Sequence, residues 1–182
     1  MNTLKPNSVC SHFVIAWLLL AIHSVSVANE HSSGEADPIR LGIITEQDGP
    51  HLDIYLRSIA RCKGVAQVAI ADHSGVEFDR VAQAIAPSHG KVATFGSANK
   101  MVSEFKPHLV LVALPAHKSP LAIRVALEHQ CHVLSEKPAC VNVDQFTQLV
   151  ELARKMRRQL MLSLPNRVSA NSLRAREIVR NG

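Results

Sequence analysis

Glycine, cysteine and aromatic residues are all scarce in this chain. Its 182 residues include 8 glycines, 4 cysteines, 5 phenylalanines and one each of tyrosine and tryptophan. Aromatics make up 4%, and the lysines and arginines are dispersed. Stacking platforms for nucleic-acid bases are therefore lacking, and no nucleic-acid partner is expected, although the net charge is +5. A core built from Ala, Val and Leu suits packed α/β layers better than a sandwich or barrel. No C-x-x-C pair exists, which argues against a disulfide framework or a structural zinc site. No H-E-x-x-H exists either, and the ten histidines are scattered, so no metal is expected. The G-x-G-x-x-G fingerprint of dinucleotide folds is largely missing.

What is present begins with an N-terminal segment unlike the rest. Lys5 precedes ten apolar residues, Phe13 to Ile22, and Ser26 and Ala28 stand at −3 and −1 of a cut after Ala28. This three-part layout predicts a secretory signal peptide at 1–28, with an uncleaved membrane anchor as the alternative. The apolar run is short for a membrane span. Residues 29–38, "NEHSSGEADP", read as a polar linker. Export would leave Cys62, Cys131 and Cys140, as buried or semi-buried thiols or as one pair plus a free thiol.

From Ile39 onward, apolar runs alternate with helical periods. Strands are predicted at 39–45, 65–72, 91–95, 108–114, 131–136 and 159–164. Helices are predicted at 51–62, 76–86 (stopped before Pro87), 98–105, 119–130, 142–158 and 172–180. The run "HLVLVAL" is apolar at nearly every position, as for a strand buried on both faces. Such alternation predicts a doubly wound parallel sheet, Rossmann-like, over 39–182. Ligands of such sheets bind beyond the carboxyl ends of the strands, at the switch in strand order.

The rim loops supply the candidate residues. In the first turn, "TEQDGPH", Thr45, Gln47 and Pro50 stand where glycines would, and Gly49 is the sole glycine; backbone amides there can still bind an anion. Asp72 ends the second strand, placed either to hold ribose hydroxyls or to cap the helix that follows. Pro115 ends the fourth strand and can line a cofactor face. His117 could contact ribose or nicotinamide, or be solvated. Ser119 is a candidate N-cap. In "SEKP", Lys137 ranks first, as a lysine able to hold a substrate oxygen and exchange a proton. Glu136 would orient it or be solvated, and Pro138 fixes the backbone.

The block from "HLVLVALPAHKSP" through "HVLSEKPAC" to "LSLPNR" resembles the N-terminal domain of the Gfo/Idh/MocA (glucose–fructose oxidoreductase / inositol dehydrogenase) family. The resemblance extends over 39–182. It implies NAD(P)-dependent redox chemistry on sugars or polyols, NAD or NADP as the dinucleotide, and a sugar-like substrate. It assigns Lys137 to substrate or nicotinamide, and Arg167 to a cofactor- or substrate-contacting position. The departures are the glycine turn and Ser119, where the family usually has His. The family's second α/β domain is expected to be absent here, so a partner domain or a homo-oligomer would complete the site. The alternative expectation is a repurposed module binding nucleotide, sugar or protein without catalysis.

Overall fold

The computed structural model describes residues 38–182. The signal read at 1–28 and all of the linker except Pro38 lie outside the described residues. The elements run β1 (Ile39–Thr45), α1 (Leu52–Ile59), β2 (Val65–Ala71), α2 (Phe78–His89), β3 (Ala93–Phe95), α3 (Ala98–Glu104) and β4 (Leu109–Ala113). They continue with α4 (Ser119–Glu128), β5 (His132–Ser135), α5 (Val143–Lys155), β6 (Leu160–Leu162), a 3-10 turn (Pro165–Val168) and α6 (Ala170–Asn181).

All pairings are parallel, in the order β3-β2-β1-β4-β5-β6. The order reverses between β1 and β4, which is the switch point the sequence reading required. β4 shows why the sheet is layered. Leu109, Leu111 and Ala113 join the core under α1 and α2, with Ile43, Leu56, Ile59 and Ile85. Val110 and Val112 join the opposite core, with Met101, Ile123 and Leu149 of α3, α4 and α5. Period-two alternation on a strand covered on both faces demands apolar residues throughout. Gly42 lets α3 approach, since a Cβ there would stand 2.7 Å from Met101 Cε.

Several predicted boundaries differ. Pro87 does not stop α2 but sits in its last turn, and the helix runs on to His89. It leaves without a helical donor only the carbonyl of Gln83, an exposed residue that water can serve. Ser119 is not an N-cap. It is fully buried, and its hydroxyl donates to Leu114 O at 2.9 Å and Pro115 O at 3.1 Å, pinning the loop after β4. The caps fall instead on Ser97, Asn142 and Ser169, each accepting an amide of the first turn. Val143, read into the apolar stripe of α5, is 80% exposed, while Leu149 and Ala153 are buried. Among the described residues no helix is long and apolar enough to cross a membrane.

Two histidines close the amino edge of the sheet. Arg40 N donates to His108 Nδ1 at 3.2 Å, and Gln159 N donates to His132 Nδ1 at 3.1 Å. Each imidazole thus serves an amide next to a neighbouring strand. Burial, then the charges of Arg158 and His108, push the His132 pKa down to about 4. Unfolded, the same group titrates near about 6.5. The unfolded chain therefore takes up a proton that the folded one refuses, and stability falls as pH drops through this window. Urea unfolding between pH 7 and pH 4 should lose stability less steeply in His132→Asn than in the wild type. Identical slopes would remove His132 from the acid response.

Candidate functional site

The first turn joins β1 to α1. Gly49 is buried there, and a Cβ on it would lie 2.1 Å from Thr45 Oγ1 and 2.8 Å from Ala113 O. Glycine is thus required by the close approach of the β1 and β4 ends. Asp48 and His51 both take φ of 57°, an arrangement that non-glycine residues adopt at a cost. Asp48 N donates at 3.0 Å to Glu77 Oε1, a carboxylate reaching over from the start of α2. Glu77 is 3% exposed and pairs with Arg80, which also binds Asp53. Part of the turn's anion-binding capacity is therefore occupied by the chain's own acid. Glu46 of the same turn is paired with Lys118.

Asp72 follows β2 and is 1% exposed. Its carboxylate accepts from Ser74 N at 2.9 Å, from Ser74 Oγ at 2.8 and 3.0 Å, and from Glu77 N at 3.0 Å. Burial opposes ionisation, but these bonds outweigh it and hold the carboxyl below its usual range. The carboxylate thereby ties the loop after β2 to the amide of Glu77, the residue that precedes α2.

β5 ends in Ser135, and the next three residues behave differently. Glu136 turns inward and is 3% exposed. Its carboxylate accepts from the Tyr55 hydroxyl and from Lys137 N at 2.8 Å, and it lies 3.2 Å from His51 Nδ1. Glu136 is not solvated, then, and it orients the Lys137 backbone. Lys137 and Pro138 are exposed, joined by a cis peptide bond. Burial and donation to Glu136 push the Tyr55 pKa up, so the hydroxyl stays a donor. A cleft of about 340 Å³ opens here, lined by His51, Tyr55, Glu136, Lys137, Ser163 and Arg167 among others.

A second cleft, of about 500 Å³, lies along the ends of β1 to β4. Ile44, Ala71, Leu114 and Val125 form its apolar wall, with His73, Asn99, His117 and Lys118 as polar groups. The first turn contributes Thr45 and Glu46 to this cleft and His51 to the other. The rim thus offers two half-apolar hollows either side of one turn, with lysines beside both. Their half-apolar lining fits a molecule carrying a ring at each end.

The structure brings Glu136, Lys137 and Arg167 into one cleft and His117 into the other. Gly49 sits at the seam, Asp72 is turned away, and Pro115 serves the loop through its carbonyl, which accepts from Lys118 N and Ser119 N. His51, Tyr55 and Ser163 were missed. The one available signal was that His51 and Tyr55 lie four residues apart, on one side of the first helix. Cys62, Cys131 and Cys140 are free thiols. Burial pushes Cys62 up and Cys131 to about 11, which makes both unreactive. No group of three or more metal-ligating side chains occurs among the described residues.

Comparison with known proteins matches residues 53–164 to the family model of the Gfo/Idh/MocA oxidoreductases, described as an oxidoreductase family with an NAD-binding Rossmann fold. The chain is 31% identical over 101 residues to D-glucoside 3-dehydrogenase of Escherichia coli (strain K12), covering 56% of this chain and 29% of that protein. Scyllo-inositol dehydrogenase from Lactobacillus casei, solved with NAD(H) and scyllo-inositol, superposes with a TM-score of 0.67 at 19% identity. The WlbA dehydrogenase from Bordetella pertussis, solved with NADH and UDP-GlcNAcA, gives 0.67 at 20%. Each structure covers 80% of this chain, and the chain spans 42% of each. They share its fold.

The Tyr55–Glu136 bond joins residues 81 positions apart and fixes α1 to the end of β5. Tyr55→Phe should lower the unfolding free energy by about 1–3 kcal/mol, as for a buried bond to a charged group. A double-mutant cycle in urea with Glu136→Gln should show coupling, and strict additivity would mean the pair does not anchor the rim.

Proposed function

The chain belongs to the Gfo/Idh/MocA oxidoreductase family through its NAD-binding Rossmann domain, and from that membership we propose that it binds a nicotinamide dinucleotide along its rim in the service of sugar or polyol oxidation–reduction. One observation carries the reading. The end of β5 buries Glu136 and so holds Lys137 at the mouth of a cleft that shares the first turn with its neighbour. His117 and the apolar wall of the larger cleft would hold the adenosine half. Lys137 and Arg167 would face the nicotinamide half and the substrate.

When bound, the dinucleotide supplies a hydride donor or acceptor. This chain's residues bind it, orient it and offer a proton-exchanging amine at Lys137 Nζ. Lys137 and Arg167 carry no salt bridge among the described residues, which leaves both heads able to engage oxygens of a polyhydroxylated ligand. Closing a substrate over the cleft falls to a further domain or a second copy. Exposed Leu173, Ile178 and Val179 on α6, a helix with no buried residue, support such packing. A second reading, a module that binds without catalysis, is favoured by the Glu77 carboxylate on the Asp48 amide. The N-terminal pattern at 1–28 supports export.

NADH or NADPH titrated into the full chain and followed by fluorescence should bind in the micromolar range. Lys137→Ala should weaken binding about tenfold, the equivalent of about 1.4 kcal/mol. Absence of binding at millimolar cofactor would sink the dinucleotide reading and leave the module. N-terminal sequencing of exported protein should begin at Asn29, and a chain starting at Met1 in the membrane fraction would favour the anchor.

A further inference from the structure

The clefts occupy one edge of the sheet. Because every strand pairing is parallel, all six strands begin at the opposite edge. There Ile39 N donates to Gly64 O at 3.1 Å, His108 N to Arg40 O at 2.9 Å, His132 N to His108 O at 2.9 Å and Val133 N to Gln159 O at 2.8 Å. These bonds run sideways, so the strand starts form one row. Lys63 precedes β2, Lys91 precedes β3, Lys106 precedes β4, Arg157 and Arg158 precede β6, and Arg40 is the second residue of β1. At the usual spacing of strands the row from β3 to β6 is roughly 24 Å long.

This charge is not neutralised. Arg40 Nε and Nη2 donate to Lys106 O at 3.1 and 2.8 Å, and Arg158 Nε donates to Gln130 O at 2.6 Å. Both guanidiniums lie on backbone carbonyls and keep their full charge. None of the six cations pairs with a carboxylate among the described residues. Lys106 and Arg157 take φ of 51° and 53°, a conformation usually left to glycine where a helix ends. The helix dipole favours cations in a last turn, but Lys63 and Lys91 stand in the connections beyond the helices. Two acids, Glu104 and Glu128, end helices at this edge, and Glu30, Glu35 and Asp37 precede β1 in the sequence. With Arg61 and Lys155 the edge sets eight cations against those five. The large exposed apolar side chains, such as Leu121, Val143 and Ile178, lie elsewhere. A partner here is met by charge, along a row and without a hydrophobic anchor.

We propose that this edge rests on an anionic lipid surface, with the two clefts held facing away from it. The proposal does not depend on what the clefts bind. The chain enters the sheet at this edge, and the apolar run Phe13 to Ile22 stands only residues 23–37 upstream of Pro38. Fifteen residues reach at most about 50 Å, so a bilayer that takes the run faces this edge before any other. Each lysine or arginine near such a surface adds attraction that fades within a Debye length.

The test is co-sedimentation of the full chain with vesicles of phosphatidylcholine alone, or of phosphatidylcholine and phosphatidylglycerol in about equal amounts. At about 0.1 M salt the anionic vesicles should bind at least about tenfold more tightly, and the difference should vanish near 1 M, where the screening length is about 3 Å. Lys63→Glu with Lys106→Glu, both exposed positions, should remove most of the difference. Lys100→Glu with Arg176→Glu makes the same change of net charge away from the edge and should leave it in place. Equal binding to both vesicles, insensitive to salt, would assign attachment to the apolar run and overturn the proposal. Equal losses in the two double variants would reduce the effect to net charge and overturn it too. Duplex DNA that strips the chain from anionic vesicles at equal phosphate would replace the lipid with a nucleic acid.

Discussion

The rim of this domain is organised by one buried carboxylate. Glu136 leaves the sheet at the end of β5 and is taken up by a phenol, an imidazole and a backbone amide that come from two different parts of the chain. An ionised group without these partners would be costly in so enclosed a place. With them, it ties the first helix to the far half of the sheet. Lys137 is the visible consequence. Its backbone is tethered while its side chain is free, so a flexible amine is delivered from a rigid base. The cleft beside it keeps its shape for the same reason.

The two halves of the rim are polarised differently. On the β5–β6 side, the heads of Lys137 and Arg167 have no ionic partner among the described residues and stand beside an enclosed acid. On the β1–β2 side, nearly every polar group has been engaged by the chain itself: Glu77 holds the Asp48 amide, Ser74 covers Asp72, and Lys118 rests on Glu46. A ligand entering the first half meets free charge, whereas one entering the second must fit between satisfied groups. Affinity on that side comes chiefly from apolar contact and shape, and less from charge.

The strands were legible because a sheet covered on both faces forces apolar runs, and "LVLVA" has no other comfortable place. Strand ends and helix lengths were less so. A proline was read as a stop, yet Pro87 fits a last turn whose orphaned carbonyl faces water. Among the candidate site residues, Glu136, Lys137 and Arg167 were readable through their place after β5 and β6. Asp72 was readable as a position but not as an orientation, because the direction of its carboxylate is decided by amides at Ser74 and Glu77. His51 and Tyr55 offered only their spacing of four, since the meaning of Tyr55 lies in a contact eighty-one positions away. Sequence spacing reports local geometry, and such long-range closures appear only when the sheet has brought the ends together.

Tyr55 is the chain's single tyrosine, and the single tryptophan, Trp17, belongs to the N-terminal segment read as a signal. Residues 38–182 therefore hold one tyrosine and no tryptophan, and that tyrosine lines the cleft with its hydroxyl on a carboxylate. Proton-accepting neighbours quench phenol emission, so the ground state is dark. Any ligand that draws Glu136 away from the ring would brighten it, and any reduced nicotinamide nearby would collect its energy. The domain carries an optical gauge of its own rim, with no label to attach.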